Sequence, residues 1–443
     1  MADKCYRVKC RGYDNLGRGL VKFNGSTLPM AGVIDGEMVH MRLKHTNHGT
    51  IGLLDHVEIA SPNRVEPMCP KAGLCGACQL MHMTYAEQLR FKQNYVENLF
   101  GKYCKVQPVK GMDEPLHYRN KVHATFSYDK KGHILAGIYE ENSHRVVNIK
   151  DCLIQDTRAN EIVEAIKKIM EKQKIAPYNE DKRRGIVRHV LIRTAMHTGQ
   201  VMVVPVIGQE SFPGKKNFVN ALLKACPQIT TVILNYNTKK TSMVLGEREE
   251  IIFGAGYIED ELCGLRFKLS PKSFYQVNTA QTEVLYQTAF DMADMKSDER
   301  VLDAYCGIGT ISLAAAENVK EVVGVEINKQ AIINARENAK LNHAKNVSFI
   351  CADAGRYMVE AAAKKESFDT VIVDPPRSGC DRAFLSALVK ISPKKIVYIS
   401  CNPQTQKENA EYLMKHGYKI EGVQPVDMFG FSNHVENIIV MTN

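Results

Sequence analysis

Residues 266–443 of this sequence read as an α/β, Rossmann-like doubly wound parallel sheet, preceded by a central α+β region at 61–265 and a small β-barrel at 1–60. Three observations predict this. From about residue 266, short apolar runs alternate with helical patterns, as parallel strands joined by crossover helices do. Two of the runs, 370–373 and 396–399, end abruptly in polar, turn-forming residues, and such strand ends are where open α/β sheets bind ligands. Residues 5–60 instead show short strands broken by turns at even spacing.

A chain of 443 residues with 44% hydrophobic and 24% charged content has the balance of an ordinary soluble protein with two or three cores. Its first residues, Met1 to Tyr6, lack an apolar signal region, and no long apolar run follows, so a cytoplasmic monomer without a membrane partner is expected. The 13 cysteines are too sparse for a secreted disulfide framework and point to metal or catalysis. A net charge of +9 suits a polyanion partner without requiring one.

In the first region, strands are expected at 6–10, 20–23, 32–34, 37–43 and 50–59. The basic run Arg42, Lys44, His45 and His48 favours RNA contact, and packing on a neighbouring domain is the plainer alternative. Next, Cys69, Cys75 and Cys78 fall within ten residues among glycines that let the backbone fold round a small object. A fourth ligand is needed, and Cys152 is the best candidate before the last region. A zinc ribbon supplies two C-x-x-C pairs and this chain has one, which favours an iron–sulfur cluster over zinc. The C-x5-C-x2-C spacing does not imply radical chemistry.

Helical periodicity spans 84–100, with Leu89, Val96, Leu99 and Phe100 on one stripe and Thr84 with Glu87 as a capping box. Alternating strands are expected at 121–127 and 134–139, a helix at 158–172, and a hairpin at 187–206. The clusters Lys182-Arg183-Arg184 with Arg188, and Lys215-Lys216, suit either an RNA path or a solvated face.

In the last region a strand at 299–303 leads through Ala304-Tyr305-Cys306-Gly307-Ile308-Gly309-Thr310 into a helix at 311–317, a turn in which a ligand approaches the backbone. The next strand, 321–325, ends in Glu326, placed for a ribose, and the strand at 347–350 leads to Asp353, placed for an adenine edge. The turn lacks the third glycine of G-x-G-x-x-G, and Asp303 suits a charged amino acid moiety, so S-adenosyl-L-methionine is favoured over a nicotinamide dinucleotide. The central strand ends deliver Asp374-Pro375-Pro376-Arg377 and Ser400-Cys401-Asn402-Pro403 to one edge. Cys306, Cys351 and Cys380 share the domain, but only Cys401 combines a strand end with a following Asn-Pro.

With these motifs in place, the chain resembles the RNA uracil-5-methyltransferase family, most closely its bacterial 23S ribosomal RNA branch, over essentially its whole length. The resemblance implies an OB-like TRAM barrel at 1–60, on Gly17-Arg18-Gly19 and Asp35-Gly36-Glu37, and a 4Fe-4S cluster on Cys69, Cys75, Cys78 and Cys152. It implies an S-adenosylmethionine-dependent methyltransferase domain with donor contacts at Gln276, in Phe274-Tyr275-Gln276-Val277-Asn278, and at Tyr305, Glu326, Asp353 and Asp374. Cys401 matches the family nucleophile, and Glu436, in His434-Val435-Glu436-Asn437, its general base. By pattern alone Glu436 reads as a surface acid. The implied reaction is methylation of uridine C5 in 23S ribosomal RNA, with transfer RNA as the alternative substrate and a non-catalytic iron–sulfur RNA-binding protein as the rival from another class. Uracil C5 is a poor nucleophile until a thiolate adds at C6, and a base must then remove the C5 proton.

Overall fold

The computed structural model describes residues 4–47, 49–140, 143–241 and 243–443; His48 of the expected basic run and Met1–Asp3 lie outside the described residues. The first unit comprises β1 (Tyr6–Tyr13), β2 (Gly19–Phe23), β3 (Ser26–Met30), β4 (Met38–Thr46) and β5 (Gly49–Ile59), antiparallel in the order β3-β2-β1-β4-β5. Alternate residues, Val8 and Cys10, Leu28 and Met30, Val39 and Met41, point into one core. The edges approach each other, since a side chain at Gly52 of β5 would meet the sulfurs of Met30 and Met41 at 3.2 and 3.1 Å.

One expected strand is corrected. Residues 32–34 form no strand, although Val33 and Ile34 are fully buried; the Ile34 amide is bonded instead to Glu37 Oε2 at 2.8 Å. The strand that was passed over is β3, joined to β2 by Asn24-Gly25 with φ of 47° and 79°, the left-handed two-residue turn that matches hairpin twist.

α1 (Tyr85–Phe100) starts as expected, with Thr84 accepting the Glu87 amide, but Glu87 does not return the bond. The Thr84 amide donates to the Asn63 carbonyl, and the Glu87 carboxylate binds Tyr13, Asn63 and Arg90. The apolar face of this helix, Val96, Leu99 and Phe100, packs into the core of the carboxy-terminal sheet beside Leu413 and Val423.

The central sheet runs through β6 (Lys121–Tyr128), β7 (Ile134–Tyr139), β8 (Val146–Asn148), then α2 (Thr157–Lys172), β9 (Val187–Thr194), β10 (Val201–Ile207), α3 (Lys215–Ala225), β11 (Thr231–Tyr236) and β12 (Arg248–Phe253). Its order is β12-β11-β10-β9-β6-β7-β8, parallel only between β10 and β11, where α3 makes the crossover. β9 and β10 are buried on both faces, one against α2 and α3 and the other against the last region, so they read as unbroken apolar runs.

A hairpin, β13 (Ile258–Leu262) with β14 (Leu265–Leu269), and α4 (Thr279–Ala293) lead into the last sheet. It alternates β15 (Arg300–Ala304), α5 (Thr310–Ala316), β16 (Glu321–Glu326), α6 (Lys329–Leu341), β17 (Val347–Cys351), α7 (Ala354–Ala363), β18 (Thr370–Val373), α8 (Arg382–Ile391), β19 (Lys395–Ser400), α9 (Pro403–Met414), β20 (Lys419–Val426) and β21 (Glu436–Thr442). The order β17-β16-β15-β18-β19-β21-β20 reverses direction between β15 and β18. Only β21 runs antiparallel to its neighbours, so its first residue lies at the edge where β15, β16, β18 and β19 end. No helix among the described residues is long and apolar enough to cross a membrane.

Candidate active site

That edge gathers the acids and the thiol. The β19–β21 register pairs Ser400 with Asn437, and one step further on each chain brings Cys401 opposite Glu436. Pro403 begins α9 directly after Asn402, and the Asn402 side chain is tied to the Arg377 carbonyl at 2.9 Å, which fixes the turn carrying the thiol.

Glu436 is 3% exposed, contrary to its reading as a surface acid. Burial and then the Asp374 carboxylate push its pKa up to about 8, with Arg377 opposing. Asp374, raised by burial and by Asp303, is the next acid in the row. The Cys401 thiol is pushed up to about 11 by burial, Glu436 and Asp374, and drawn down by the charge and hydrogen bonding of Arg377. Arg377 is the cation that opposes this rise. Cys306 and Cys380 are buried and likewise raised, while Cys351 is exposed with its sulfur 3.7 Å from the Ile327 carbonyl. His434 is driven toward the neutral form by burial and by Arg377.

The β15–α5 turn is built for close approach. Tyr305 takes φ of 81°, and its amide and that of Cys306 both donate to the Val325 carbonyl at 2.9 Å. A side chain at Gly309, φ 86°, would strike the Phe349 ring at 2.8 Å, so only glycine fits. Glu326 closes the neighbouring strand and accepts the Gly307 and Asn328 amides at 3.3 and 2.7 Å. Asp303, read as suited to a charged amino acid moiety, is fully buried with its pKa pushed up to about 7. One of its oxygens takes the Ser312 hydroxyl at 2.5 Å and the other has no partner among the described residues. An orphaned carboxyl oxygen beside a raised Asp374 makes an edge where a cationic ligand would favour the ionised acids.

Gln276 lies on a segment held from the central sheet. Asn120 donates to the Gln276 carbonyl at 2.9 Å, and buried Arg193 donates to the Ser273 and Pro271 carbonyls. Asp353 is exposed in a separate groove with Ile327 and Cys351, and its carboxylate already caps α7 through the Arg356 amide.

Away from the edge, Cys69, Cys75, Cys78 and Cys152 line one cavity of about 360 Å³ with Arg119 and Lys121 among its walls. Burial and then the other three thiols push the Cys78 thiol up to about 12. Among the described residues no trio of His, Cys, Asp or Glu closes on a single metal ion.

The sequence reading missed what holds the β20–β21 loop. Lys92 and Asp427 form an ion pair at 2.6 Å, both side chains fully buried, and the Tyr85 hydroxyl donates to the other Asp427 oxygen at 2.8 Å. The signal was present: Lys92 sits one turn before Val96, on the apolar stripe of α1, where a lysine needs a partner.

The reversed strand order and the acids at its switch point define an S-adenosylmethionine-dependent methyltransferase fold. Residues 242–443 match the family model described as tRNA (Uracil-5-)-methyltransferase. An uncharacterized RNA methyltransferase of Clostridium tetani is 41% identical over 442 residues, 99% of this chain and 96% of that one. One of Halalkalibacterium halodurans is 38% identical over 431 residues, covering 96% and 94%. The crystal structure of Pyrococcus abyssi tRNA (uracil-54, C5)-methyltransferase in complex with S-adenosyl-L-homocysteine aligns with a TM-score of 0.80 at 26% identity, over 99% of this chain and 100% of that one. The chain belongs to the RNA (uracil-5-)-methyltransferase family, with S-adenosylmethionine as its methyl donor.

Proposed function

We propose that this enzyme methylates C5 of uridine in 23S ribosomal RNA through a covalent adduct between Cys401 and C6. The observation that carries the adduct chemistry is the placement of Cys401 at the strand end beside Glu436, one register step beyond Ser400 and Asn437, and the choice of 23S RNA rests on the family resemblance of the sequence. Arg377 stabilises the Cys401 thiolate, which adds to C6 and makes C5 nucleophilic. The bound donor supplies an electrophilic methyl group on a sulfonium. Glu436, once ionised, takes the C5 proton; the C5–H pair forms the C5–C6 double bond and the C6–sulfur pair returns to Cys401. The target base has to leave its stack to reach this edge.

Gln276, Tyr305, Glu326 and Asp374 hold the donor, with Glu326 on the ribose diol. Asp353 meets the adenine through the carboxylate oxygen that does not cap α7. Cys69, Cys75, Cys78 and Cys152 hold a 4Fe-4S cluster. The four thiols line a single space of about 360 Å³, and a cluster held there cross-links the 69–78 segment to Cys152. Residues 1–60 serve as a TRAM-like barrel, 61–265 as the central unit and 266–443 as the methyltransferase domain of a cytoplasmic monomer.

Transfer RNA is the second reading, favoured by the names of the family model and of the Pyrococcus abyssi enzyme. Mass-spectrometric mapping of 5-methyluridine in 23S and transfer RNA, with and without the gene, separates the two. Loss of the mark from 23S RNA supports the first reading, and loss only from transfer RNA replaces it with the second.

A further inference from the structure

The β20–β21 loop, residues 427–435, delivers the base, yet it is held largely from outside the sheet that carries it. Lys92 donates to Asp427 and, at 3.1 Å, to the Phe429 carbonyl, and the Tyr118 hydroxyl donates to the Gly430 carbonyl at 3.1 Å. The Phe431 amide donates to Gln88 Oε1 at 2.8 Å, and its carbonyl accepts the Leu80 amide at 2.9 Å. The Asn433 amide donates to Gln79 Oε1 at 3.4 Å. Gln79 and Leu80 directly follow Cys78, so the segment bearing three of the four cysteines is bonded to the loop that ends in Glu436.

Phe431 joins the two sites. Its φ of 65° lies in the left-handed region, which a bulky residue adopts only where its surroundings impose it. Its ring, 5% exposed, belongs to an apolar cluster with Met81, Tyr118 and Ile154, against which Cys69, Cys78 and Cys152 also pack. Cys401 is fixed differently, by the turn from β19 into α9, which the Asn402 side chain ties to the Arg377 carbonyl. Disturbing the seat of Phe431 therefore displaces the base before it displaces the nucleophile.

We propose that Phe431 is a positioning residue that couples the four-cysteine site to the base: its ring, seated in the cluster that includes three of the cysteines, fixes the 427–435 loop and so holds the Glu436 carboxylate opposite Cys401. The proposal rests on the adduct reading above. A loosened seat leaves donor binding, addition of the thiolate to C6 and methyl transfer intact. What slows is removal of the C5 proton by Glu436, and with it the release of Cys401.

The test uses Phe431→Ala in enzyme purified without oxygen, with iron measured. An ångström of misplacement of a catalytic group costs about a hundredfold in rate, so kcat should fall on that order; because the steps through methyl transfer are unchanged, KM for RNA should fall with it and donor affinity should hold. The covalent protein–RNA species should accumulate with ordinary uridine substrate. Phe431→Leu, which keeps apolar bulk, should be intermediate, and Cys75→Ser should show the same split without altering the loop. RNA carrying 5-fluorouridine should trap Phe431→Ala as efficiently as the parent. Parent-like turnover by Phe431→Ala overturns the proposal. So does loss of donor binding and fluorouridine trapping in step with turnover in both Phe431 variants, because that is general unfolding. A parent enzyme that fluorouridine RNA does not trap removes the adduct reading itself, which is a separate failure.

Discussion

Cys401 and Glu436 face one another across the ends of β19 and β21, the only antiparallel junction that touches the parallel part of the sheet. Every parallel strand presents its carboxy end to the ligand edge, and the reversal at β21 presents an amino end there instead. A buried carboxylate beside a strand-end thiol follows from that reversal. The acids around it form a row, Asp303, Asp374 and Glu436, with each of the latter two raised by the one before it.

Donor binding is expected to release protons at neutral pH. Burial and mutual repulsion hold these acids partly protonated, with Asp303 pushed up to about 7 and Glu436 to about 8. A sulfonium and an ammonium placed beside them favour the ionised forms and lower those pKa values, so protons leave on binding. Calorimetry at pH 7 in buffers of different ionisation enthalpy should give buffer-dependent heats for S-adenosylmethionine. Identical heats would mean that the row is already ionised or is not near the donor.

Glu326→Ala should weaken donor binding by about 1.5–3 kcal/mol, the worth of hydrogen bonds to a charged group. Unchanged affinity would place the ribose elsewhere. The Gly307 and Asn328 amides that Glu326 holds also loosen in this variant, so Glu326→Gln, which keeps an acceptor, should lose less.

The buried Lys92–Asp427 pair gives a stability prediction. Lys92→Met leaves the Asp427 carboxylate buried without its cation and should cost about 3–5 kcal/mol in urea unfolding. Replacing both partners, with Asp427→Leu added, should recover much of the loss. A single-variant cost below about 1 kcal/mol would contradict the pair's role as an anchor.

Protein purified without oxygen should be brown, with iron and acid-labile sulfide in equal amounts, and Cys75→Ser should lose both. Stoichiometric zinc in a colourless, fully active enzyme would remove the cluster.

Much of the edge was legible in the sequence because it is written locally. The run 370–373 is β18 itself, and the Ser400-Cys401-Asn402-Pro403 turn sits where a strand must stop and a helix begin. Long-range pairing is not written that way. The antiparallel placement of β21 depends on partners in β19 and β20, so the burial of Glu436 could be inferred only through a family resemblance. Residues 32–34 read as a strand because Val33 and Ile34 are apolar, but they are buried by packing rather than by ladder bonds, and the turn signal for β3 is the Asn24-Gly25 pair. Asp303 could be placed at its strand end from the sequence, but its complete burial could not.

The measurement that tests the division of labour most directly is denaturing electrophoresis of two variants with ordinary uridine RNA and S-adenosylmethionine. Cys401→Ala should form no covalent species and no product, because no thiolate adds to C6. Glu436→Gln keeps the thiol and the donor site, so addition and methyl transfer proceed and the methylated adduct accumulates as a band that survives denaturation, with little product released. Normal turnover by Glu436→Gln, or a covalent band from Cys401→Ala, would contradict the account and assign the chemistry to another acid or cysteine at these strand ends.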